Sequence, residues 1–192
     1  MTAAPQPTLH GDGFVLRPMV SSDAPALYAA GQGDDLGHYT SLPRPFTLGA
    51  AEELIAAAEA GWHAGTAARF AIIVEDSGEP ELVGTASLLH LFPERADAEV
   101  GYWLAESARG RGLARRAVAL LCAWALGPFG LRRLHLLVDL DNAGSHAVAR
   151  SCGFLPLGEV PWQHPTDRSK DAVCLAYERL TSRQSAVVER YR

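Results

Sequence analysis

The sequence predicts a single mixed α/β domain. Its 192 residues are the usual length of one domain, and folding would bury about 70% of the unfolded surface. Hydrophobic residues make up 48% of the chain, enough for a core that needs neither disulfides nor metal ions. The predicted elements run as helices, then consecutive strands, then β–α–β–α–β, which is typical of one mixed sheet flanked by helices. We find no internal repeat and no linker.

The N-terminal part is predicted to form one strand and two helices. Residues 1–12 are polar and carry Pro and Gly, so we expect a loose lead-in before a domain that spans residues 13–180. Ser21, Ser22 and Asp23 are candidate N-caps for the first helix, and Thr47 is a plausible cap for the second. The predicted elements are a strand at 13–17, a helix through residue 28, a loop at 31–45 and a helix at 48–63.

Strands dominate the next part of the prediction, and one strong helix interrupts them. The apolar pattern from Gly112 to Leu126 predicts this helix, which Gly127 and Pro128 should end. We expect strands at 70–75, 82–91, 98–104, 133–139, 160–162 and 173–178, with a short helix at 145–151. Residues 181–192 are predicted to be either a terminal helix or a frayed tail.

Composition excludes several classes of function. A net charge of −5 does not favour nucleic-acid binding, which requires a cationic surface. The first thirteen residues have neither a basic start nor an apolar segment, so we expect no secretion. The longest apolar stretch is too short to span a bilayer, so we expect no membrane contact. Cys122, Cys152 and Cys174 stand far apart and form no ligand cluster with His. This pattern favours buried thiols in a reducing cytoplasm and no metal site.

A glycine-rich turn precedes the strong helix and is the first candidate site. Gly110 and Gly112 would let the backbone approach an anion, and the start of a helix offers unpaired N–H groups. Three interpretations remain open: a tight turn with solvated arginines, a dinucleotide-binding turn, or a pyrophosphate cradle. The dinucleotide interpretation is disfavoured, because Arg115 stands where its third glycine would lie.

Several motifs in order resemble the GNAT superfamily of acyl-CoA-dependent N-acetyltransferases. Arg109-x-x-Gly112-x-Ala114 matches the pattern of its cofactor turn. Asn142 and the downstream pair Gly153-Phe154 match a second motif, and Leu16-Arg17-Pro18 resembles the opening strand. Glu99-x-Gly-Tyr-Trp-Leu104, together with Asn142-x-x-Ser145, is most similar to the branch that acetylates the N-termini of ribosomal proteins.

This resemblance implies a V-splayed mixed sheet of six to seven strands and acetyl-CoA as cosubstrate. The cofactor would lie where strand 98–104 parts from strand 133–139, with its pantetheine arm on the main chain of Trp103, Leu104 and Ala105. Asn142 would bind the same arm or cap the following helix. The pyrophosphate would lie on the turn formed by Arg109, Gly110, Arg111, Gly112, Leu113 and Ala114.

Direct acetyl transfer to an amine needs a base, a polarised carbonyl and a proton for the leaving thiolate. Glu99 is our candidate base and His90 the runner-up. Many members of the superfamily have a tyrosine acid where this chain has Ala149. We therefore propose Ser145 for that role, with helix capping as its alternative. Tyr102 and Trp103 are expected to be core or wall residues rather than catalytic groups.

The acceptor is expected to be a primary amine, most simply the α-amine of a protein N-terminus. Tyr39, Phe46 and Trp62 fall in the region that covers the acceptor site in related enzymes. Alternatives are a small amine or an antibiotic as acceptor, a non-catalytic acyl-CoA-binding module, or a nicotinamide-dependent enzyme. Dimers are common in the superfamily, so the resemblance also allows a homodimer.

Overall fold

The computed structural model describes residues 4–33, 36–75, 78–92, 94–163 and 172–181. These ranges form an eight-stranded sheet in the order β1-β2-β3-β4-β5-β6-β8-β7. The strands are β1 Leu9–His10, β2 Phe14–Pro18, β3 Ala68–Val74, β4 Glu81–Phe92, β5 Asp97–Leu104, β6 Arg133–Asp139, β7 Leu155–Trp162 and β8 Ala172–Leu180. The helices are α1 Ala24–Ala30, α2 Leu36–Tyr39, α3 Leu48–Ala64, α4 Leu113–Leu126 and α5 Ala143–Ser151. The predicted fold class is confirmed.

The β5–β6 junction is the one parallel pairing of the sheet among the described strands. Its register covers only three pairs, Asp97↔Arg133, Ala98↔Leu134 and Glu99↔His135. Beyond Glu99 the two strands diverge, while β5 stays paired with β4 up to Leu104. The sheet therefore consists of two half-sheets, β1–β5 and β6–β8–β7, joined by a short seam. The carboxylate of Asp97 is buried and lies 2.7 Å from the Arg133 guanidinium, which reinforces this seam.

Each face of the sheet carries its own hydrophobic core, because side chains along a strand point alternately to the two faces. On β3, Phe70 and Ile72 belong to the larger core, which also contains the buried faces of α4 and α5. Ala71 and Ile73 point the other way and pack with α1 and α3. The strand pattern thus assigns each functional side chain to one of two faces.

Three predicted elements differ from the observed ones. Leu9 and His10 lie within the expected lead-in, yet they pair with Leu16 and Val15 as an extra strand. Two residues are too short a run to show an alternating pattern. Strand β7 starts at Leu155 rather than residue 160, since Pro156 is tolerated on the edge of a sheet although it obscures the sequence signal. The loop expected at 31–45 contains the single helical turn α2. The predicted tail at 182–192 lies outside the described residues.

Candidate active site

A cleft of about 1000 Å³ opens where β5 and β6 diverge. Both half-sheets contribute to it, with Glu99 and Tyr102 from β5 and Val138 and Asp139 from β6. The segment before α3 covers one side, where Tyr39 and Phe46 line the wall as expected. The cleft therefore lies at the gap in the sheet that the sequence resemblance implies.

The backbone of β5 presents alternate residues to this gap. The Ala105 N–H donates to the Val83 carbonyl at 2.8 Å, and the Ala105 carbonyl accepts from the Ala108 N–H at 3.0 Å. Both main-chain groups of Ala105 are thus already paired. Because hydrogen-bonding directions alternate along a strand, Tyr102 and Leu104 direct their main-chain groups toward the gap. The Leu104 carbonyl accepts from Arg109 Nε at 3.0 Å, which attaches the glycine turn to the end of β5.

The glycine turn leads into α4 in the expected geometry. Gly110 and Gly112 have φ angles of 76° and 72°, in the left-handed region that glycine adopts without strain. A Cβ at either position would have no atom within 4 Å, so the space above the turn is open. Gly112 is the N-cap of α4 and supplies no side-chain cap, which leaves the first N–H groups of the helix available to an anion. Arg111 donates to the Ser107 carbonyl at 2.9 Å and holds the loop in place. The turn thus fits a phosphate group.

Glu99 and His90 lie together on the side of the cleft that faces α1 and α3. From the sequence, we expect the acceptor on this side. His90 Nδ1 is 3.3 Å from Glu99 Oε2, and the imidazole is far more exposed than the carboxylate. Glu99 shares its sheet face with Trp103, which packs in the smaller core with α1 and α3. The structure therefore brings the two candidate bases together, with Glu99 the more enclosed of the pair.

Ser145 and Asn142 stand at the start of α5, and the structure separates their roles. Asn142 is the N-cap, because its Oδ1 accepts from the backbone N–H of Ser145 at 2.9 Å. The hydroxyl of Ser145 is not needed for capping, and it lies 3.0 Å from the hydroxyl of Tyr102. Burial raises the pKa of Tyr102 to about 12, with the Ser145 hydrogen bond acting in the opposite direction. Tyr102 therefore carries its proton at neutral pH.

Cys174 lines the cleft without the character of a nucleophile. Its thiol donates to Asp139 Oδ1 at 3.2 Å. Burial raises the pKa of Cys174 to about 12, and the Asp139 hydrogen bond and charge act in the same direction. A thiol that stays protonated is a poor nucleophile, so the cleft offers no cysteine for an acyl-enzyme. Cys122 and Cys152 are buried, as expected.

Not every predicted site residue lines the cleft. Trp62 was expected near the acceptor, but its ring stacks on Phe129 with a centroid distance of 6.0 Å. Its indole N–H donates to the Ala4 carbonyl at 2.9 Å. Trp62 lies near the C-terminal end of α3 and packs against the larger core, which directs the ring away from the acceptor side. Ala149 is fully buried in that core and offers no acid.

Sequence reasoning missed two residues of the cleft. Tyr102 was assigned to the wall, since its partner Ser145 is 43 residues away and the contact has no local signal. Arg69 was not considered, although an arginine within the apolar strand Ala-Arg-Phe-Ala-Ile-Ile-Val was a signal in itself. Among the described residues, no group of three metal-ligating side chains could hold an ion. The described helices include none with the length and apolar character needed to cross a membrane.

Residues 14–155 match the family described as acetyltransferase (GNAT) domain. The chain belongs to the GNAT family of acetyltransferases. It is therefore an acyltransferase, as the turn-and-helix motif predicted. This GNAT chain is 26% identical over 148 residues to the uncharacterized N-acetyltransferase YoaA of Bacillus subtilis, covering 77% of its own length and 82% of that protein. It is 36% identical over 91 residues to the ribosomal-protein-serine acetyltransferase of Escherichia coli, covering 47% and 49% of the two chains.

Solved GNAT structures share this fold at low sequence identity. The structure of RimL, a ribosomal L7/L12 α-N-protein acetyltransferase in complex with coenzyme A, superposes with a TM-score of 0.79 at 22% identity. That match covers 91% of this chain and 98% of RimL. The microcin C7 self-immunity acetyltransferase MccE, in complex with acetyl-CoA and AMP, superposes with a TM-score of 0.78 at 19% identity, covering 93% and 98% of the two chains. The expectation of acetyl-CoA as cosubstrate agrees with the cofactors in both structures.

Proposed function

We propose that this protein transfers the acetyl group of acetyl-CoA directly to the α-amine of a protein N-terminus. The observation that carries the proposal is the placement of two candidate groups on opposite sides of one gap. Glu99 faces the acceptor side of the sheet, with α1 and α3. The Tyr102–Ser145 pair faces the side of α4 and α5. A thioester held in the gap would have a base on one side and a proton donor on the other.

The cofactor is held by residues that present no obstructing side chain. Acetyl-CoA supplies the acetyl group as a thioester. The open turn at Gly110 and Gly112 and the N–H groups at the start of α4 bind its pyrophosphate. The main-chain groups of Leu104 and Tyr102 that face the gap hold the pantetheine arm as an added strand would. Asn142 contributes by fixing the start of α5.

Two side chains assist the reaction, Glu99 at the attacking amine and Ser145 at the departing sulfur. Glu99 accepts the proton that the amine loses as its nitrogen bonds to the carbonyl carbon, either directly or through water. Ser145 donates a hydrogen bond to the sulfur as the carbon–sulfur bond breaks and the thiolate forms. Tyr102 stabilises this arrangement by donating to the Ser145 oxygen, which directs the serine proton outward. The amine attacks the thioester directly, and the cleft thiol of Cys174, which stays protonated, forms no acyl-enzyme.

An N-terminal amine is the preferred acceptor on two grounds. The ribosomal-protein-serine acetyltransferase is the relative with the highest identity of those described above. The Glu99-x-Gly-Tyr-Trp-Leu104 motif of β5 and the Asn142-x-x-Ser145 motif of α5 both border the cleft in this chain. The three unpaired cysteines fit work in a reducing cytoplasm, where nascent proteins are available.

The test is an acceptor panel. Purified protein and acetyl-CoA are incubated with peptides that have a free N-terminus, and with the same peptides blocked at the N-terminus but carrying an internal lysine. Polyamines and aminoglycosides serve as competing small-amine acceptors. We expect thiol release and an acetyl mass shift only with free N-termini. Turnover confined to the polyamines or aminoglycosides would show that the acceptor is a small amine and not a protein N-terminus. Binding of acetyl-CoA without any turnover would indicate a non-catalytic module.

A further inference from the structure

Arg69 is a half-buried cation in the cleft, and no carboxylate of the described residues pairs with it. It lies on β3 and lines the same cleft as Glu99. Its Nε is the one buried side-chain nitrogen or oxygen without a hydrogen-bond partner in the part of the chain that the structure describes. Burial alone lowers the pKa of Arg69 from its ordinary value, with no contribution from a nearby carboxylate. A guanidinium nevertheless remains protonated at any physiological pH.

Two other partly buried arginines, Arg17 and Arg133, have acidic partners. Arg17 donates two hydrogen bonds of 2.7 Å to the carboxylate of Asp23. Arg133 lies 2.7 Å from Asp97. A charge that loses part of its hydration without gaining a partner destabilises the folded state, whereas an arginine fork matches the two oxygens of a carboxylate or phosphate. The unmatched guanidinium of Arg69 therefore points to an anion that arrives with a ligand.

The position of Arg69 decides which ligand brings that anion. Arg69 shares a sheet face with Ala71 and Ile73, which pack with α1 and α3. The neighbouring residues Phe70 and Ile72 face α4 instead. The start of α4, where the pyrophosphate is proposed to bind, therefore belongs to the opposite face of the sheet. An anion at Arg69 must come from the acceptor.

The strand register gives the separation between Arg69 and the candidate base. Arg69 pairs with Ser87, and Ser87 pairs with Gly101, which stands two residues from Glu99 on the same face. Two strand spacings and two residues of rise place the Cα atoms of Arg69 and Glu99 about 12 Å apart. Between them Ser87 is small, and the Leu89 side chain lies over Gly101, with its Cδ1 3.3 Å from where a Cβ of residue 101 would be. The floor of the cleft between Arg69 and Glu99 is therefore made of Ser87 and Leu89, which also line the cleft. An extended acceptor can lie across it.

We propose that Arg69 binds a carboxylate of the acceptor and so selects N-termini with an acidic residue close behind the amine. This inference rests on the proposed N-terminal acetylation. Both side chains reach toward the bound peptide, so the remaining distance corresponds to about two or three residues of extended chain. Asp or Glu at the second or third position would therefore meet the guanidinium. The carboxylate of a free amino acid lies too close to its own amine to span this distance.

The experiment uses peptide pairs that differ in a single group. Each pair has the same N-terminal residue, with Asp or Asn at position two, or Glu or Gln at position three. We expect wild-type kcat/KM to be about tenfold to a hundredfold higher for the acidic member. In Arg69→Met, which keeps much of the side-chain length without the charge, this ratio should fall to about one. Arg132→Met removes an exposed cation outside the cleft and should keep the wild-type ratio.

The outcomes separate the inference from the function on which it rests. Equal rates for acidic and neutral peptides with the wild-type protein overturn the role of Arg69 and leave N-terminal acetylation intact. If no peptide is acetylated, both proposals fail. A structural role alone would change thermal stability in Arg69→Met without changing the acid-to-amide ratio. The wild-type preference is measured without any variant, so equal rates overturn the proposal even if Arg69→Met does not fold.

Discussion

The hydroxyl of Tyr102 lies 3.0 Å from Oγ of Ser145 and links strand β5 to helix α5 across the mouth of the gap in the sheet. A serine hydroxyl is a weak acid on its own. With Tyr102 as its donor, the serine oxygen is already satisfied and its proton is left for another acceptor. We propose that the pair takes, in this chain, the role that a tyrosine at the position of Ala149 has in many members of the superfamily.

The first prediction concerns Tyr102. Tyr102→Phe removes one hydroxyl and keeps the ring, so we expect kcat to fall about tenfold while the Kd for acetyl-CoA stays unchanged. The loss should shrink with an acetyl thioester whose thiol is more acidic, because that leaving group needs less help. An equal loss with both donors would contradict a role at the sulfur.

The second prediction separates Ser145 from Asn142. Ser145→Ala retains the backbone N–H that the cap uses, so kcat should fall while the free energy of unfolding stays within a few tenths of a kcal/mol. Asn142→Ala removes the cap and should lower that free energy by about 1 kcal/mol. Chemical denaturation and single-turnover rates measure the two effects. A destabilised Ser145→Ala protein would mean that the hydroxyl has a structural role.

The third prediction tests the base. Glu99→Gln should lower kcat/KM about tenfold to a hundredfold near neutral pH, because an N-terminal amine is already partly deprotonated there. The loss should diminish at higher pH, where the amine no longer needs a base. His90→Gln is the matched control, since His90 contacts the same carboxylate. If only the His90 variant changes the pH profile, the assignment passes to the histidine.

The fourth prediction concerns the phosphate cradle. Gly112→Val should abolish acetyl-CoA binding, because a branched side chain would occupy the open space above the turn. Gly65→Val is the control, since Gly65 also has a φ of about 70° and open space around it but ends α3, away from the turn. Both variants carry similar strain, of about 1–2 kcal/mol. Equal cofactor affinity in the two folded variants would remove the turn from the binding site.

The fifth prediction is alkaline destabilisation through Cys122. Burial raises the pKa of Cys122 to about 12, whereas an unfolded thiol ionises near 8.5. The unfolded state therefore loses its proton first. The stability contribution is complete below about pH 8.5 and declines as the pH rises toward 12. Denaturant unfolding from pH 7 to 11 should show this decline, and Cys122→Ala should reduce its slope, with Cys174, whose pKa is also raised to about 12, contributing to the remainder. An unchanged slope in the variant would exclude Cys122 as the source.

Local patterns in the sequence predicted the elements that matter most for the fold. The N-cap at Thr47, the glycines before α4 and the apolar face of α4 are encoded by neighbouring residues. The pairing of β1 was missed because two residues are too short a run to show an alternating pattern. Two further features depended on contacts beyond the local sequence and could not be predicted, namely the Tyr102–Ser145 hydrogen bond and the position of Arg69 opposite Ser87. Each joins residues whose proximity only the finished sheet determines.

The three-pair seam between β5 and β6 has a consequence for how this enzyme is tuned. The proposed base Glu99 and the proposed acceptor-binding Arg69 stand on one half-sheet, while Ser145 and its cap Asn142 follow a strand of the other. Their relative placement depends on the angle at which the halves meet, and the ion pair of the buried Asp97 with Arg133 helps to fix that angle. The seam thus sets how the two halves of the site are aligned with each other. Substitutions there would alter turnover without touching either substrate, and selection can adjust the reaction from outside the cleft.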